Sequence, residues 1–516
     1  MGIDAAASPQ WRHLLPIPRL DEERADASRP IRVVVDVDPA RVDQPGLQHL
    51  TWLLATLLTR STSDVIGAVG ISAKDAPLMH GIDPGAPDGG PSLCDALKAT
   101  ADAFGPAAAP VVDAYELDGA DLVLQIGRTA TTAWPEAAVL HVSAASWTGA
   151  ITPHAQNVLP LDLASQNPFG PYVAACLAAG QAYLHARIRD HQLPTVALNA
   201  WTLTQATADV FAAAPADPGE PAVHLDHVLA GVGAVGSALL LTLWAYRPAV
   251  GTIRAADADP QGVDDTNLNR CLPFHWIDLG RPKAHTAAVR LSGHHGLIIE
   301  PTQDFAQNLV GPGTHLISAV DTAKARQALQ DKYPASAVQA STAGLRLEML
   351  RVDPTHRTAC LRCFNQPADE TPDSDVRAHV ADMDDASLAA HAAAVGTDTE
   401  QVRQWGRTGG CGQIGDALLE RLRPSDGGAA QFSVGFMSVL AGTLLAAQVV
   451  KDAIRRDAAP AGIVDNVPLY GPNARFLTNC LDPVHAAAGV RLYARDSNCP
   501  ACRGVRADVW TQRYTG

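Results

Sequence analysis

HVLAGVGAVGSALLLTLWAY (227–246) decides the fold. His227–Ala230 run into three glycines, Gly231, Gly233 and Gly236, and an uninterrupted apolar stretch follows. That order reads as a buried strand, a tight turn and a helix. Glycine at these places permits the turn, lets the backbone approach a phosphate and allows close helix packing, while the helix N-terminus favours an anion. Outward from this stretch the alternation continues. GTIRAADAD (251–259), GLIIEPT (296–302), THLISAVD (314–321) and AVQASTAG (337–344) read as strands with helical stretches between them, so an α/β domain with a mostly parallel sheet is expected over 223–516. Upstream, AAAPADPGEPA (212–222) reads as a linker. Before it, IRVVVDVDP (31–39), ADLVLQIG (120–127) and AAVLHVSAA (137–145) read as strands. GLQHLTWLLATLLTR (46–60) and PYVAACLAAGQAYLHARIR (171–189) read as helices, giving an N-terminal α/β domain over 1–211.

The 516 residues are 47% apolar and 5% aromatic, which excludes overall disorder; at roughly 100–200 residues per domain they allow two to four domains. Lys and Arg number 39 against 54 Asp and Glu, a net charge of 39 − 54 = −15 with no basic run, so a nucleic-acid polymer is not the expected partner. The first thirty residues contain no apolar segment behind a basic start, and a cytoplasmic setting with reduced thiols is expected. Two uncharged stretches, Val228–Tyr246 and Val434–Val450, raise the question of a membrane span. Both read as buried helices, because the first opens on the glycines and the second is interrupted by Gly435, Ser438, Gly442, Thr443 and Gln448. The charged, alanine-rich segment 367–410 reads as an inserted helical region or a lid over the sheet.

Nine cysteines occur, at 94, 176, 271, 360, 363, 411, 480, 499 and 502. Cys360-Leu-Arg-Cys363 and Cys499-Pro-Ala-Cys502 together supply the four thiolates of a closed tetrahedral zinc site. A redox pair is the alternative, and neither Cys-x-x-Cys is expected to open a helix after a strand as a thioredoxin-type pair does. Cys411 lies in Arg407-Thr-Gly-Gly-Cys411-Gly-Gln, where flanking glycines leave a thiol accessible. Asp257 follows Gly236 by 21 residues, at the end of the second strand, where a carboxylate can accept hydrogen bonds from ribose hydroxyls. To this point a dinucleotide and ATP fit equally.

The next block separates them. Asp257-Ala-Asp259-Pro-Gln-Gly-Val263, then Asn267-Leu-Asn269-Arg270, then Gly280-Arg-Pro-Lys283 follow the glycines in fixed order. This series resembles the adenylating family of the ThiF/MoeB type, which includes ubiquitin-activating enzymes and the thiamine and molybdopterin adenylyltransferases. The resemblance is close over 224–345 and looser to 505. It implies two Rossmann-like α/β domains, the C-terminal one an adenylation domain with a structural zinc site and an insertion, 364–432, that carries a catalytic cysteine. It implies ATP bound at Gly231, Gly233 and Gly236 with Asp257, Asp259 and Asn267, phosphates on Arg270 and Lys283, and Mg²⁺ on Asp321. Where the family has Asp-Asn-x-x-x-Arg, this chain has Asp321-Thr322-Ala-Lys-Ala-Arg326, so an orienting Asn is replaced; by itself Asp321 reads equally as a helix N-cap.

The resemblance further implies that the C-terminal carboxylate of a small glycine-ended ubiquitin-like protein is adenylated, and that Cys411 then takes the acyl group as a thioester for a conjugating enzyme. Similar bacterial systems act against phage, and the alanine-rich composition is of a bacterial kind. The N-terminal domain, without the glycine fingerprint, reads either as a degenerate copy similar to the inactive half of larger ubiquitin-activating enzymes or as a partner-recognition domain unrelated in fold, whereas compact relatives form homodimers in which an Arg near the chain start, here Arg12, reaches the partner's phosphates. Three other functions fit part of the pattern: activation of a sulfur-carrier protein with no thioester, NAD-dependent oxidoreduction, and non-catalytic nucleotide or partner binding. Cys271 is expected to pack, Cys94, Cys176 and Cys480 have no context, and His285, His294 and His295 are expected to cap or face solvent.

Overall fold

The computed structural model describes residues 29–86, 91–127, 134–155, 163–188, 190–206, 219–293, 296–352, 359–365, 380, 383–394, 397–408, 433–456, 474–480, 489–492, 495–496 and 498–515. Arg12, Cys411, His294, His295, most of the 212–222 linker and most of the 364–432 insertion lie outside the described residues.

The first sheet takes its strands in sequence from β1 (Ile31–Val37), β2 (Ile66–Ser72), β3 (Val111–Asp113), β4 (Leu122–Ile126), β5 (Ala138–Ala145), β6 (Thr148–Thr152), β7 (Val196–Asn199) and β8 (Gln205–Ala206). Helices α1 (Pro45–Thr59), α2 (Leu93–Phe104) and α3 (Phe169–Arg187) connect them. The second sheet is built from β9 (Val223–Ala230), β10 (Ala249–Ala256), β11 (Leu297–Thr302), β12 (His315–Ser318), β13 (Ser336–Ala343), β14 (Arg346–Val352), β15 (Ala474–Asn479) and β16 (Gly489–Leu492). Its helices are α4 (Ala234–Ala245), α5 (Asp265–Leu268), α6 (Lys283–Arg290), α7 (Ala323–Gln330), α8 (Leu361–Phe364), α9 (Asp385–Ala394), α10 (Thr399–Thr408), α11 (Gly435–Arg456) and α12 (Val505–Thr515).

The strand orders are β3-β2-β1-β4-β5-β6-β7-β8 and β11-β10-β9-β12-β13-β14-β15-β16. The two are the same order, and the pairing signs agree as well. The first five strands of each sheet are parallel and the last three antiparallel. Parallel strands covered on both faces must be apolar throughout, which is why β4 is buried along its whole length and β9 carries a fully buried His227–Ala230 end. In each sheet the order reverses beside the first strand, between β1 and β4 and between β9 and β12, and this reversal leaves a crevice at the carboxyl ends of the strands.

Helix α4 is apolar on every side and buried from Val235 to Ala245, so it belongs inside a layer of helices. It packs on α11, α11 on α3, and α3 on α1. One continuous core runs through both sheets, with Trp147, Phe169, Trp201 and Tyr246 among its largest fully buried side chains. Polar hooks cross between the halves in both directions. Arg60 at the end of α1 donates to the carbonyls of Leu272 and Phe274 at 2.9 Å each, and Lys451 on α11 donates to the Trp201 carbonyl at 2.5 Å. Gly435–Ile454 is long and apolar enough to cross a membrane by length and composition, and 94% of it is buried inside the protein.

Both sheets fall in one compact unit, and 366–431 forms a second. Within that second unit α9 and α10 close a small core of Val380, Leu388, Ala392, Val402 and Trp405, and Arg403 bridges Asp385 and Glu400.

Candidate active site

Three residues, Gly231–Gly233, join β9 to α4. Gly231 sits at φ +89°, and a Cβ there would lie 3.0 Å from the Ala319 carbonyl oxygen; a Cβ on Gly236 would lie 2.0 Å from the carbonyl oxygen of Gly231. Only glycine fits either place. Gly233 is different, because a Cβ there would meet nothing within 4 Å. Gly233 caps α4, whose first N–H groups have no partner inside the helix.

Asp257 stands just past β10, and its carboxylate accepts from the Val232 N–H at 2.7 Å and the Asp259 N–H at 3.1 Å. It therefore braces the glycine turn. Asp259 pairs with Lys283 at 2.5 Å. Burial works against the Lys283 ammonium, but the Asp259 hydrogen bond and the nearby Asp257 charge outweigh it and hold the pKa above the ordinary lysine value. Burial likewise pushes the Asp259 carboxyl up, and Lys283 with the Gln261 N–H more than reverses this. Lys283 opens α6 directly after Pro282, whose missing N–H suits the cap position.

Asn267 completes a reciprocal cap with Asp264 on α5, each side chain accepting from the other's N–H, at 3.0 Å and 3.3 Å. Arg270, two residues past α5, is buried to 9% exposure. Cys271, the next residue, is buried; burial raises its thiol pKa, opposed by the charges of Arg270 and Lys283 and a hydrogen bond with Ser237 of α4. The Cys271–Ser237 contact thus ties the segment that carries Arg270 to the first turn of α4.

The strand read as 314–321 ends at Ser318, and the segment behind it lies against the glycine turn through the Ala319 N–H to Ala230 oxygen bond at 2.8 Å. Asp321 follows, exposed. It is not the helix cap: Thr322 is, its hydroxyl accepting from the Ala325 N–H at 3.2 Å. An exposed carboxylate is of the kind Mg²⁺ takes, one or two at a time, with phosphate oxygens and water. Arg326 fixes the segment by donating twice to the Val320 carbonyl, at 3.0 Å and 2.9 Å, and once to Asn365 at 2.8 Å. Asn365 stands two residues past Cys363, so the cysteine pair and the Asp321 segment are tied together. Nothing in the local sequence around Asn365 signals this, because its partners come from α7 and β13.

The four sulfurs of Cys360, Cys363, Cys499 and Cys502 lie within 4.8 Å of one another, with contacts of 3.8, 3.7 and 3.5 Å. A tetrahedron with Zn–S bonds of about 2.3 Å has edges of about 3.8 Å, so the set could hold zinc. Cys360 caps the four-residue α8 and Cys499 caps the Pro500–Cys502 turn. What sets them apart from a redox pair is the convergence of all four sulfurs. Among the other cysteines Cys176 and Cys480 are buried and Cys94 is half-buried; His285 is exposed.

The ThiF family model matches residues 217–470. The chain carries a ThiF-family domain. The ThiF domain is an adenylyltransferase domain, a nucleotide-binding enzyme fold that supports ATP-dependent adenylation of a substrate carboxylate. No curated protein matches the chain. Similar solved structures include E. coli MccB with MccA-N7isoASN, at TM-score 0.34 and 14% identity, covering 56% of this chain and 69% of that one. E. coli MccB with ATP is similar at TM-score 0.32 and 14% identity, covering 55% and 66%. PaaA is similar at TM-score 0.30 and 16% identity, covering 52% and 71%.

Proposed function

We propose that the protein activates the C-terminal carboxylate of a small ubiquitin-like protein, with ATP at the glycine turn. The observation that carries this reading is the open space at Gly233 at the head of α4, in a ThiF domain, with Asp257 bonded to the glycine turn and to Asp259, the partner of Lys283. Asp257 and Asn267 shape the nucleoside side, and Arg270 and Lys283 neutralise phosphate charge. A carboxylate oxygen of the carrier attacks the α-phosphorus, the bond from that phosphorus to the bridging oxygen breaks, and pyrophosphate leaves. Mg²⁺, held by Asp321, supplies further charge neutralisation when bound. The Cys411 thiolate then attacks the acyl carbon, AMP leaves, and a thioester remains for transfer to a conjugating enzyme.

In this reading the zinc site is structural, because four thiolates leave no open position. The N-terminal half is an adenylation-like copy without a nucleotide site. Its turn spans seven residues, 38–44, instead of three; α1 opens with Pro45, which has no N–H, and the Gly46 N–H is already taken by the Leu163 carbonyl at 2.9 Å. Having both halves in one chain, the protein needs no second copy to complete the site. The setting is cytoplasmic, and a bacterial conjugation system acting against phage is the pathway class we favour.

The test is ATP–pyrophosphate exchange with glycine-ended carrier proteins, on wild type and Asp321→Ala, followed by non-reducing gels. Carrier-dependent exchange lost in Asp321→Ala, with a thiol-sensitive adduct lost in Cys411→Ala, supports the full reading. Exchange with no adduct reduces it to carrier adenylation, and no exchange with any carrier rejects it.

A further inference from the structure

Arg60 is buried to 2% exposure at the C-terminus of α1, in the half of the molecule without a nucleotide site. Its guanidinium donates to the carbonyls of Leu268, of Cys271 at 3.4 Å, and of Leu272 and Phe274 at 2.9 Å each. All four belong to the segment that carries Asn267 and Arg270. Among the described residues no carboxylate pairs with Arg60; its charge is met by those dipoles, by the carbonyl end of α1 and by the ring of Phe104, 5.9 Å away. Burial brings its pKa down to about 10, so the group stays charged at neutral pH.

Helix α11 approaches the same segment closely. A Cβ on Gly435, the first residue of α11, would lie 2.4 Å from the Asn269 carbonyl oxygen. The chain from Leu268 to Phe274 is thus held both by close packing on α11 and by a cation from the end of α1. A guanidinium is suited to the place, because its planar fork can serve several carbonyls at once. With any apolar side chain at 60, these carbonyls would lose their partner in a buried site.

We propose that Arg60 is a positioning residue for adenylation: the N-terminal half sets the backbone that presents Arg270 to the phosphates. This rests on the reading of Arg270 as a phosphate-binding residue. Arg60 touches no reacting atom, so its removal lowers phosphate binding selectively and leaves the adenosine side intact.

The experiment measures MgATP and adenosine affinity by calorimetry on the full chain, for wild type, Arg60→Met, Arg60→Lys, Arg270→Ala and Arg60→Met/Arg270→Ala, with circular dichroism and thermal unfolding alongside. Arg60→Met is expected to weaken MgATP about tenfold or more with adenosine affinity unchanged, and Arg60→Lys to restore part of the loss. In the Arg270→Ala background, Arg60→Met is expected to have little further effect. Equal weakening of MgATP and adenosine, or additive losses in the double variant, would reduce Arg60 to a structural residue and overturn the proposal. If Arg60→Met does not fold, Arg60→Lys decides: wild-type MgATP affinity in that variant with a lowered unfolding temperature overturns it, and a selective MgATP loss supports it. Wild type that binds adenosine but gains nothing from the triphosphate overturns the adenylation reading itself, and this proposal with it.

Discussion

The two halves share a strand order and differ at one turn. In the C-terminal half three residues with two glycines carry the chain from β9 to α4, and the helix start lies open above Gly233. In the N-terminal half seven residues fill the same place, Asp38 brings a negative charge there with Arg41 at 3.6 Å, and the first N–H groups of α1 are absent or engaged. Topology alone therefore does not make a nucleotide site. An anion site at a helix start needs N–H groups that are free to meet a ligand, whereas the layered core requires only the pattern of apolar residues.

The largest expected effect lies in a device found only in the C-terminal half. Wild type is expected to hold one zinc by metal analysis, and Cys499→Ser to lose it together with roughly 5 kcal/mol or more of stability, within the range available to a four-thiolate site. A chain whose unfolding is untouched by strong chelators would remove this difference between the halves.

Next come the two glycines that behave oppositely. Gly236→Ala, with its Cβ 2.0 Å from a carbonyl oxygen, is expected to cost about 3 kcal/mol and to abolish nucleotide binding. Gly233→Ala is expected to change stability by less than about 0.5 kcal/mol while weakening MgATP roughly tenfold, because the methyl group occupies ligand space and not protein space. Urea unfolding and calorimetry on both variants separate the two kinds of glycine; equal stability losses would contradict the geometry.

Histidines in each half sharpen the comparison further. Burial, then the Arg247 charge, lowers the His49 pKa to about 3, and burial, then Arg60 and Arg290, lowers that of His275 to about 4. Both stay neutral when folded and take up a proton when unfolded. Their contribution is fully present above the unfolded value of about 6.5 and is lost as pH falls through it toward the folded values. Between pH 7 and 5 the loss is about 2 kcal/mol for His49 and less for the partly exposed His275. Denaturant titrations should show it flatten in His49→Phe, and an unchanged pH slope in that variant would count against the assignment.

The smallest effect concerns Thr322. Thr322→Ala removes the hydroxyl cap of α7 and is expected to cost about 1 kcal/mol, with Thr322→Asn close to neutral, as measured by thermal unfolding.

The sequence by itself determined the strand–turn–helix around Gly231–Gly236, most of the parallel strands, the long buried helix at 435–456 and the two cysteine pairs. These are local signals: apolar periodicity, glycine spacing and thiol spacing each act over a few residues. Several shorter elements escaped that reading, among them β2, β6, β7 and β14, because a four-to-seven-residue apolar run carries too little periodicity to separate strand from loop. Only the tertiary structure decided that Asp257 braces the glycine turn, that Thr322 and not Asp321 caps α7, and that Asn365 links the cysteine cluster to the Asp321 segment. It alone placed Arg60 on carbonyls more than 200 residues away in sequence. The physical reason is that carbonyls are present at every residue and leave no mark in the sequence, so which of them a buried cation will meet is settled only when the two halves pack.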